Sequence, residues 1–265
     1  LRHAYGGLGP ILAGQTWSTF SDVSSLPLTV DLDGPSSSVA ERTVQIRYTK
    51  GGRDDTSFAI GVESPAVEIS EPDSLKIRPA FQTFPDVALW TRHRDDWGHV
   101  QVSGVVRSIS VRNSSGGLDV LVGLGGLFSG RIEVGGEDAL LFQAVAGTGI
   151  SKFITAFAGR NLDVIYNPVT FEFETLGVTG GYISYDHVWA EKVHSYFTGG
   201  FAAILNKFYQ EDSAFSNAQY ISGNLFWDPG YGARVGLEYN WGRRENKDKR
   251  DGIANRIAFI LYYDF

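Results

Sequence analysis

The sequence predicts an all-β fold, a transmembrane antiparallel up-and-down β-barrel with about thirteen strands present, as a single domain over residues 1–265. Three observations carry this. Apolar and polar side chains alternate in segments of about ten residues, the length that crosses a bilayer at a tilt. The connections alternate short and long along the chain, as they do in barrels with tight periplasmic turns and longer external loops. The composition has 32 glycines, 13% aromatic and 43% hydrophobic residues, a slightly negative mean hydropathy, and no run of about 18 apolar residues. That excludes a helical membrane protein. It leaves a barrel open, because a polar lumen face offsets the lipid face in any average.

Taken in order, the alternating segments fall at 2–8, 11–19, 42–49, 56–63, 85–93, 97–111, 117–133, 138–147, 174–188, 192–206, 217–227, 231–241 and 253–265. In "YGARVGLEYNW", Tyr231, Ala233, Val235, Leu237, Tyr239 and Trp241 share one face, and Arg234 and Glu238 lie on the other. In the closing "IAFILYYDF", Phe265, Tyr263, Leu261 and Phe259 share a face. The connections run "GLGP", then 20–41; "KGGRDD", then 64–84; "HRDD", then 112–116; "GGE", then 148–173; "WAE", then 207–216; "DPG", then 243–252. A soluble sandwich has no reason to sort loop lengths by parity. Pro229 and Gly230 suit the two central positions of a type II turn. With "DPG" periplasmic, the last strand descends, and so does the first. A closed bacterial barrel usually has an even strand count with both ends in the periplasm. Thirteen strands therefore imply an odd number before Leu1, whose first strand is then expected to be unpaired on one side.

Large side chains on one face are read as facing lipid, with Val235, Leu237, Phe259, Leu261 and Tyr263 on the outer wall and Arg234 and Arg256 inward. Cysteine is absent, which removes disulfides and thiolate chemistry, and methionine is absent too. "LRHAYGG" carries no leader pattern, so any export signal is expected outside this chain. A net charge of −7 with scattered basic residues argues against a nucleic-acid partner.

Lumen cations are the main candidates for function. By alternation Arg2, Arg47, Arg92, Arg107, Arg131, Arg234 and Arg256 fall opposite the apolar residues of their strands, with Gln45 beside Arg47. Arg47 is clearest, because Val44, Ile46 and Tyr48 take the other face. A guanidinium stays charged at any working pH and holds a carboxylate through two parallel hydrogen bonds, so such a ladder replaces water around an anion. The structural alternative is that each arginine pairs with a lumen acid such as Glu63, Asp119, Glu133, Glu238 or Asp264.

Other constellations are weaker. "HRDDWGH" places His93, Asp95, Asp96 and His99 within one tight turn, where aspartate is favoured for backbone reasons alone; no metal site is assigned. His187, His194 and Ser195 approach across "WAE", but no acid or amide is placed to orient a base, and no enzyme activity or cofactor is expected. "GLGGLFSG" lacks the following helix of a phosphate loop; its glycines are read as relieving crowding where the barrel curves.

"RHAYG" followed by "AGQTWSTF" resembles the DcaP-like outer-membrane porins of proteobacteria, chiefly over residues 2–20, with weaker echoes in "IRYTK" and the barrel end. The resemblance implies a sixteen-stranded trimeric barrel in a Gram-negative outer membrane that passes small anions, notably dicarboxylates, behind a periplasmic coiled-coil extension. Three strands and that extension would lie outside this chain. It also makes 20–41 the third external loop, which in general porins folds inward and constricts the channel; Asp31 and Asp33 are its candidate constriction residues. The terminal aromatic resembles the signal read by the barrel-assembly machinery. The leading expectation is a passive channel for small anionic solutes, set in outer-membrane lipid. A non-conducting barrel for adhesion or scaffolding is the alternative, with an outer-membrane lipase a distant third.

Overall fold

The computed structural model describes residues 2–51, 56–70, 82–112 and 117–263. The terminal Asp264 and Phe265 lie outside the described residues. The strands are β1 Ala4–Leu8, β2 Ile11–Trp17, β3 Arg42–Lys50, β4 Ser57–Glu63, β5 Ile69–Ser70, β6 Asp86–Asp95, β7 Gly98–Arg112, β8 Leu118–Gly135, β9 Asp138–Thr148, β10 Val164–Asn167, β11 Glu172–Thr175, β12 Gly177–Ala190, β13 Val193–Leu205, β14 Phe215–Gly230, β15 Ala233–Asn246 and β16 Asp251–Tyr263.

Thirteen of them form one sheet in the order β1-β2-β3-β4-β6-β7-β8-β9-β12-β13-β14-β15-β16. Each neighbour is antiparallel, as short turns demand. β1 pairs only with β2, and β16 only with β15, so each keeps one open edge among the described residues. The expected strands are all present. β5, β10 and β11 were not expected; they form a small separate sheet in the loops, β10 antiparallel to β11 and parallel to β5.

The two faces of the large sheet differ as alternation requires. Val44, Ile46 and Tyr48 are exposed while Thr43 and Gln45 between them are buried. Leu237, Phe259, Leu261 and Tyr263 are likewise exposed, Phe259 at 67%. Leaving such side chains in water forgoes about 1.5–3 kcal/mol each, and so extensive an apolar exterior is that of a wall covered by lipid.

The inner face is packed rather than empty. Phe20 and Val39 from the segment between β2 and β3, and Ile150, Phe153, Ile154 and Phe157 from the segment after β9, cluster with Ala88, Val105, Leu127, Val145 and Val178 of the wall. Wall glycines make room for them. A Cβ on Gly61 would collide with Thr19, and one on Gly125 would meet the Ile150 side chain at 2.6 Å. The "GLGGLFSG" glycines thus answer partly to loops packed against them, not to curvature alone.

The turn after β14 also differs from expectation. Gly230 pairs with Ala233, and the two-residue loop is Tyr231–Gly232, with φ of 56° and 77°. Positive φ at both positions marks the type I′ geometry, whose twist matches flanking strands better than the expected type II turn at Pro229–Gly230.

Candidate channel wall and inward loop

Residues 18–41 leave the rim at the loop end of β2 and enter the barrel interior, fastened in three places. At the root, Glu63 accepts from the Ser18 hydroxyl at 2.8 Å and the Thr19 N–H at 2.6 Å. Gln45 accepts from the Thr19 hydroxyl at 2.8 Å and donates to the Trp17 carbonyl at 2.7 Å. Gln45 is thereby an anchor of the loop as well as a wall residue.

The second fastening centres on Asp22, whose side chain is fully buried. Its carboxylate lies 2.8 Å from Arg92 Nη2 of β6, 2.9 Å from His99 Nε2 of β7, and accepts from the Ser129 hydroxyl of β8 at 2.8 Å. Gln143 of β9 donates to the Asp22 carbonyl at 3.0 Å and accepts from the Val39 N–H at 2.8 Å. Tyr182 of β12 donates to the Ser25 carbonyl at 2.9 Å. One short segment thus ties five wall strands together.

At the far side, Glu238 of β15 accepts from the Val30 and Asp31 N–H groups at 2.8 and 3.3 Å, and Asn224 of β14 donates to the Leu28 carbonyl at 2.9 Å. The Asp31 carboxylate takes Arg256 of β16 as an ion pair. The loop therefore crosses the interior, and Asp31 lies in contact with the opposite wall. Asp33 is exposed and lines a cavity of about 260 Å³ together with Arg2, Arg42, Thr29 and Tyr262.

The arginines divide into two groups. Arg92 is held by Asp22, with its Nε donating to Gln101 at 2.8 Å. Arg107 is 1% exposed, paired with Asp86 at 3.1 Å and Asp163 at 2.8 Å, and it donates to the carbonyls of Gly149 and Ala66. Lys152 joins the same cluster through Asp86 at 2.6 Å. Arg131 pairs with Glu133 and Asp186, and Arg234 with Asp228 through two bonds of 2.6 and 2.9 Å. With Arg256 on Asp31, five of the candidate arginines are committed. Of the acids that hold them, Glu133 was expected as a lumen acid and Asp31 as a constriction residue, while Asp22, Asp86, Asp163, Asp186 and Asp228 were not foreseen.

Arg2, Arg42 and Arg47 form no ion pair among the described residues. The Arg47 Nε is buried without a hydrogen-bond partner, and so is that of Arg42. The acid on the strand next to Arg47, Glu63, is taken up by the loop root. Arg42 stacks on Trp17, 3.6 Å from guanidinium carbon to ring centre. Alternation missed Arg42, because it falls on the Val44 face; at the strand tip the stacking and the returning loop turn it to the cavity.

The remaining candidates separate. His93 and His99 lie on opposite faces, His93 beside Thr56 and His99 against Asp22, so they share no site. His187 does have an acid, Asp138 at 2.8 Å, but the Ser195 hydroxyl accepts the Trp189 indole N–H at 3.0 Å. With Tyr185 bonded to the same Asp138, this outward cluster forms part of the aromatic girdle at the turn end. A shallow concavity of about 880 Å³ over Ala144, Ala146, Gly181 and Gly199 also faces outward, away from the interior.

An inward loop fastened across a wall with an apolar exterior is the geometry of a membrane β-barrel whose interior is partly filled by its own loops. The whole chain, residues 1–265, matches the family described as DcaP outer membrane protein. Among solved structures it is similar to the outer membrane channel DcaP of Acinetobacter baumannii, at 17% identity and a TM-score of 0.88, covering 100% of this chain and 74% of that one. It is also similar to outer-membrane expressed OmpT of Vibrio cholerae, at 12% identity and a TM-score of 0.55 over 96% of this chain and 76% of that one. A trimer form of OmpT matches at 10% identity and 0.53, over 96% and 76%. No curated protein matches. The chain belongs to the DcaP outer membrane protein family, whose members reside in the Gram-negative outer membrane.

Proposed function

We propose that the protein is a passive channel preferring small anions, with carboxylates, dicarboxylates among them, as its solutes. The observation that carries this is Arg47: a guanidinium on the inner face with a buried, unpartnered Nε, where five other candidate arginines are each ion-paired. A fixed cation in a narrow, partly desolvated passage acts at low effective dielectric, whereas acids on external loops are screened within about 8 Å. Arg2 and Arg42 extend the same field beside the inward loop. The net charge of −7 is therefore a poor guide to selectivity. The arginine ladder of the sequence contracts to Arg2 and Arg47, which Arg42 joins, and Arg92, Arg107, Arg131, Arg234 and Arg256 position the loops and wall.

The open edges of β1 and β16 support closure by further strands preceding residue 1, three for a sixteen-stranded barrel, since unpaired backbone groups are costly in lipid. A homotrimer is proposed by analogy with the trimer form of OmpT, and recognition of Phe265 by the barrel-assembly machinery belongs to the same reading. The test is the zero-current potential across a salt gradient, before and after Arg47→Gln. The packed loops inside the barrel favour one alternative, a non-conducting barrel with a scaffold role; absence of single-channel steps from folded protein would select it.

A further inference from the structure

At the loop end of the barrel, a second cavity of about 460 Å³ opens between the small β5-β10-β11 sheet and the segment 206–214. That is within the range of about 300–1,000 Å³ usual for small-molecule sites. Two arginines line it, and neither was singled out by the alternation. Arg160 and Arg244 both stack on Phe215, with guanidinium carbons 5.6 and 4.9 Å from the ring centre. Each is anchored through Nε, Arg160 to the Ala156 carbonyl at 2.8 Å and Arg244 to Asn246 Oδ1 at 3.2 Å. The Nη groups of both are left for another partner, and neither arginine is ion-paired among the described residues.

The walls of the cavity are fixed. Lys207 pairs with Glu174 of β11 at 2.8 Å, its N–H donates to Gln210 at 2.7 Å, Asn206 donates to the Phe215 carbonyl at 2.9 Å, and Lys247 donates to the Phe208 carbonyl at 2.7 Å. Tyr166 and Tyr209 supply aromatic surface beside Phe215. Burial, with Glu174 nearby, pushes the Tyr209 phenol up to about 12, so it remains a neutral donor. Among the described residues the one lining acid, Glu211, is exposed and accepts from Ser213 at 3.4 Å. Aromatic stacking holds each guanidinium in place at the cavity wall, and the Nη pair of a guanidinium matches the two oxygens of a carboxylate.

We propose that this vestibule cavity binds a small carboxylate bearing an apolar or aromatic body, with its oxygens on the Nη groups of Arg160 and Arg244 and its body against Tyr166 and Tyr209. The site goes beyond the channel reading. It lies apart from Arg47, and its occupancy is measurable without current.

The experiment is calorimetric titration of benzoate into the full-length protein in detergent micelles, with acetate and benzamide as comparators. Benzoate is expected to bind one site. Acetate should bind more weakly for want of a stacking body, and benzamide for want of charge. Arg160→Gln and Arg244→Gln should each weaken benzoate about tenfold or more, and together abolish it. Arg244→Lys should recover part of the loss, since it restores a point charge without the planar fork. Lys50→Gln, which removes an exposed charge outside the cavity lining, should leave benzoate affinity unchanged, and because binding heat is read without current, failure here is distinct from failure of the selectivity account. Unchanged affinity in the double variant, benzamide binding as well as benzoate, an equal loss in Lys50→Gln, or no binding heat from wild type with an intact strand circular dichroism spectrum would overturn the proposal.

Discussion

Replacing Asp22 by asparagine keeps the shape of the side chain and removes the charge on which the inward loop turns. In the native protein this carboxylate serves Arg92, His99 and Ser129 at 2.8–2.9 Å with no exposure to solvent. An asparagine presents one acceptor and one donor, so at least one of these donors loses its acceptor and the Arg92 charge loses its counter-ion. Removing one partner of a buried pair costs about 3–5 kcal/mol. The fastenings at Glu63 and Glu238 remain, so the loss falls on docking of 18–41 rather than on the barrel. At 1.4 kcal/mol per tenfold, about 3–5 kcal/mol corresponds to loop opening raised by about two to three and a half orders of magnitude. Hydrogen exchange of peptides from 18–41, followed by mass spectrometry in micelles, reads this directly. Exchange should accelerate about 100-fold or more there, with wall strands such as β8 unchanged, and single-channel conductance should rise. Protection within twofold of wild type would refute the hub assignment, and acceleration spread evenly over the wall would show that Asp22 stabilises the barrel instead.

Three further outcomes follow from the same structure. Arg107→Met leaves Asp163 buried without its cation and Asp86 with Lys152 alone, so the urea midpoint should fall by an amount equivalent to about 3–5 kcal/mol; a change below about 1 kcal/mol would contradict the cluster's role. Gly61→Ala should cost about 1–3 kcal/mol and expose 18–41 to protease, because its Cβ strikes Thr19, and adding Thr19→Ala should recover much of the loss. Glu174 is held below its ordinary value of 4.5 by hydrogen bonds from Lys207 and Asn167. The clamp on 206–214 is therefore fully present above 4.5 and lost as pH falls through the lowered value. A spin label on a Ser213→Cys variant should become mobile only in that acid range, and Glu174→Gln should flatten the dependence; mobility that sets in above 4.5 would count against it.

Much of this architecture is legible in the sequence because strands carry a period of two. Val44, Gln45, Ile46 and Arg47 announce which way each side chain points, and the alternation of loop lengths separates the two rims. What escaped has no period to read. Asp22, Asp86 and Asp163 hold Arg92 and Arg107 from positions far away in sequence, and nothing local marks an aspartate as a partner. The β5-β10 pairing joins residues near 69 and 164 through segments of two and four residues, too short to alternate. Arg42 shares the parity of Val44, so alternation gives no sign of it, and it is turned by Trp17 at the strand tip. At the turn after β14 the Pro-Gly signal was strong, yet strand twist prefers positive φ at Tyr231 and Gly232, while Asp228 is taken by Arg234. A site such as that of Arg160, on a loop, and Arg244, near the end of β15, emerges only when both stack on Phe215.

The central claim, an anion preference set by unpaired wall cations, is tested most directly by the zero-current potential of the full-length protein in planar bilayers across a salt gradient. The wild type should show the sign of an anion-preferring pore, and Arg47→Gln with Arg42→Gln should reduce the potential toward zero. Arg131→Gln, whose native charge is already matched by Glu133 and Asp186, should if anything move it toward cation preference by freeing those acids, and by less than the pair does. A cation-selective wild type, or a folded Arg42/Arg47 double variant with unchanged potential, would contradict the account.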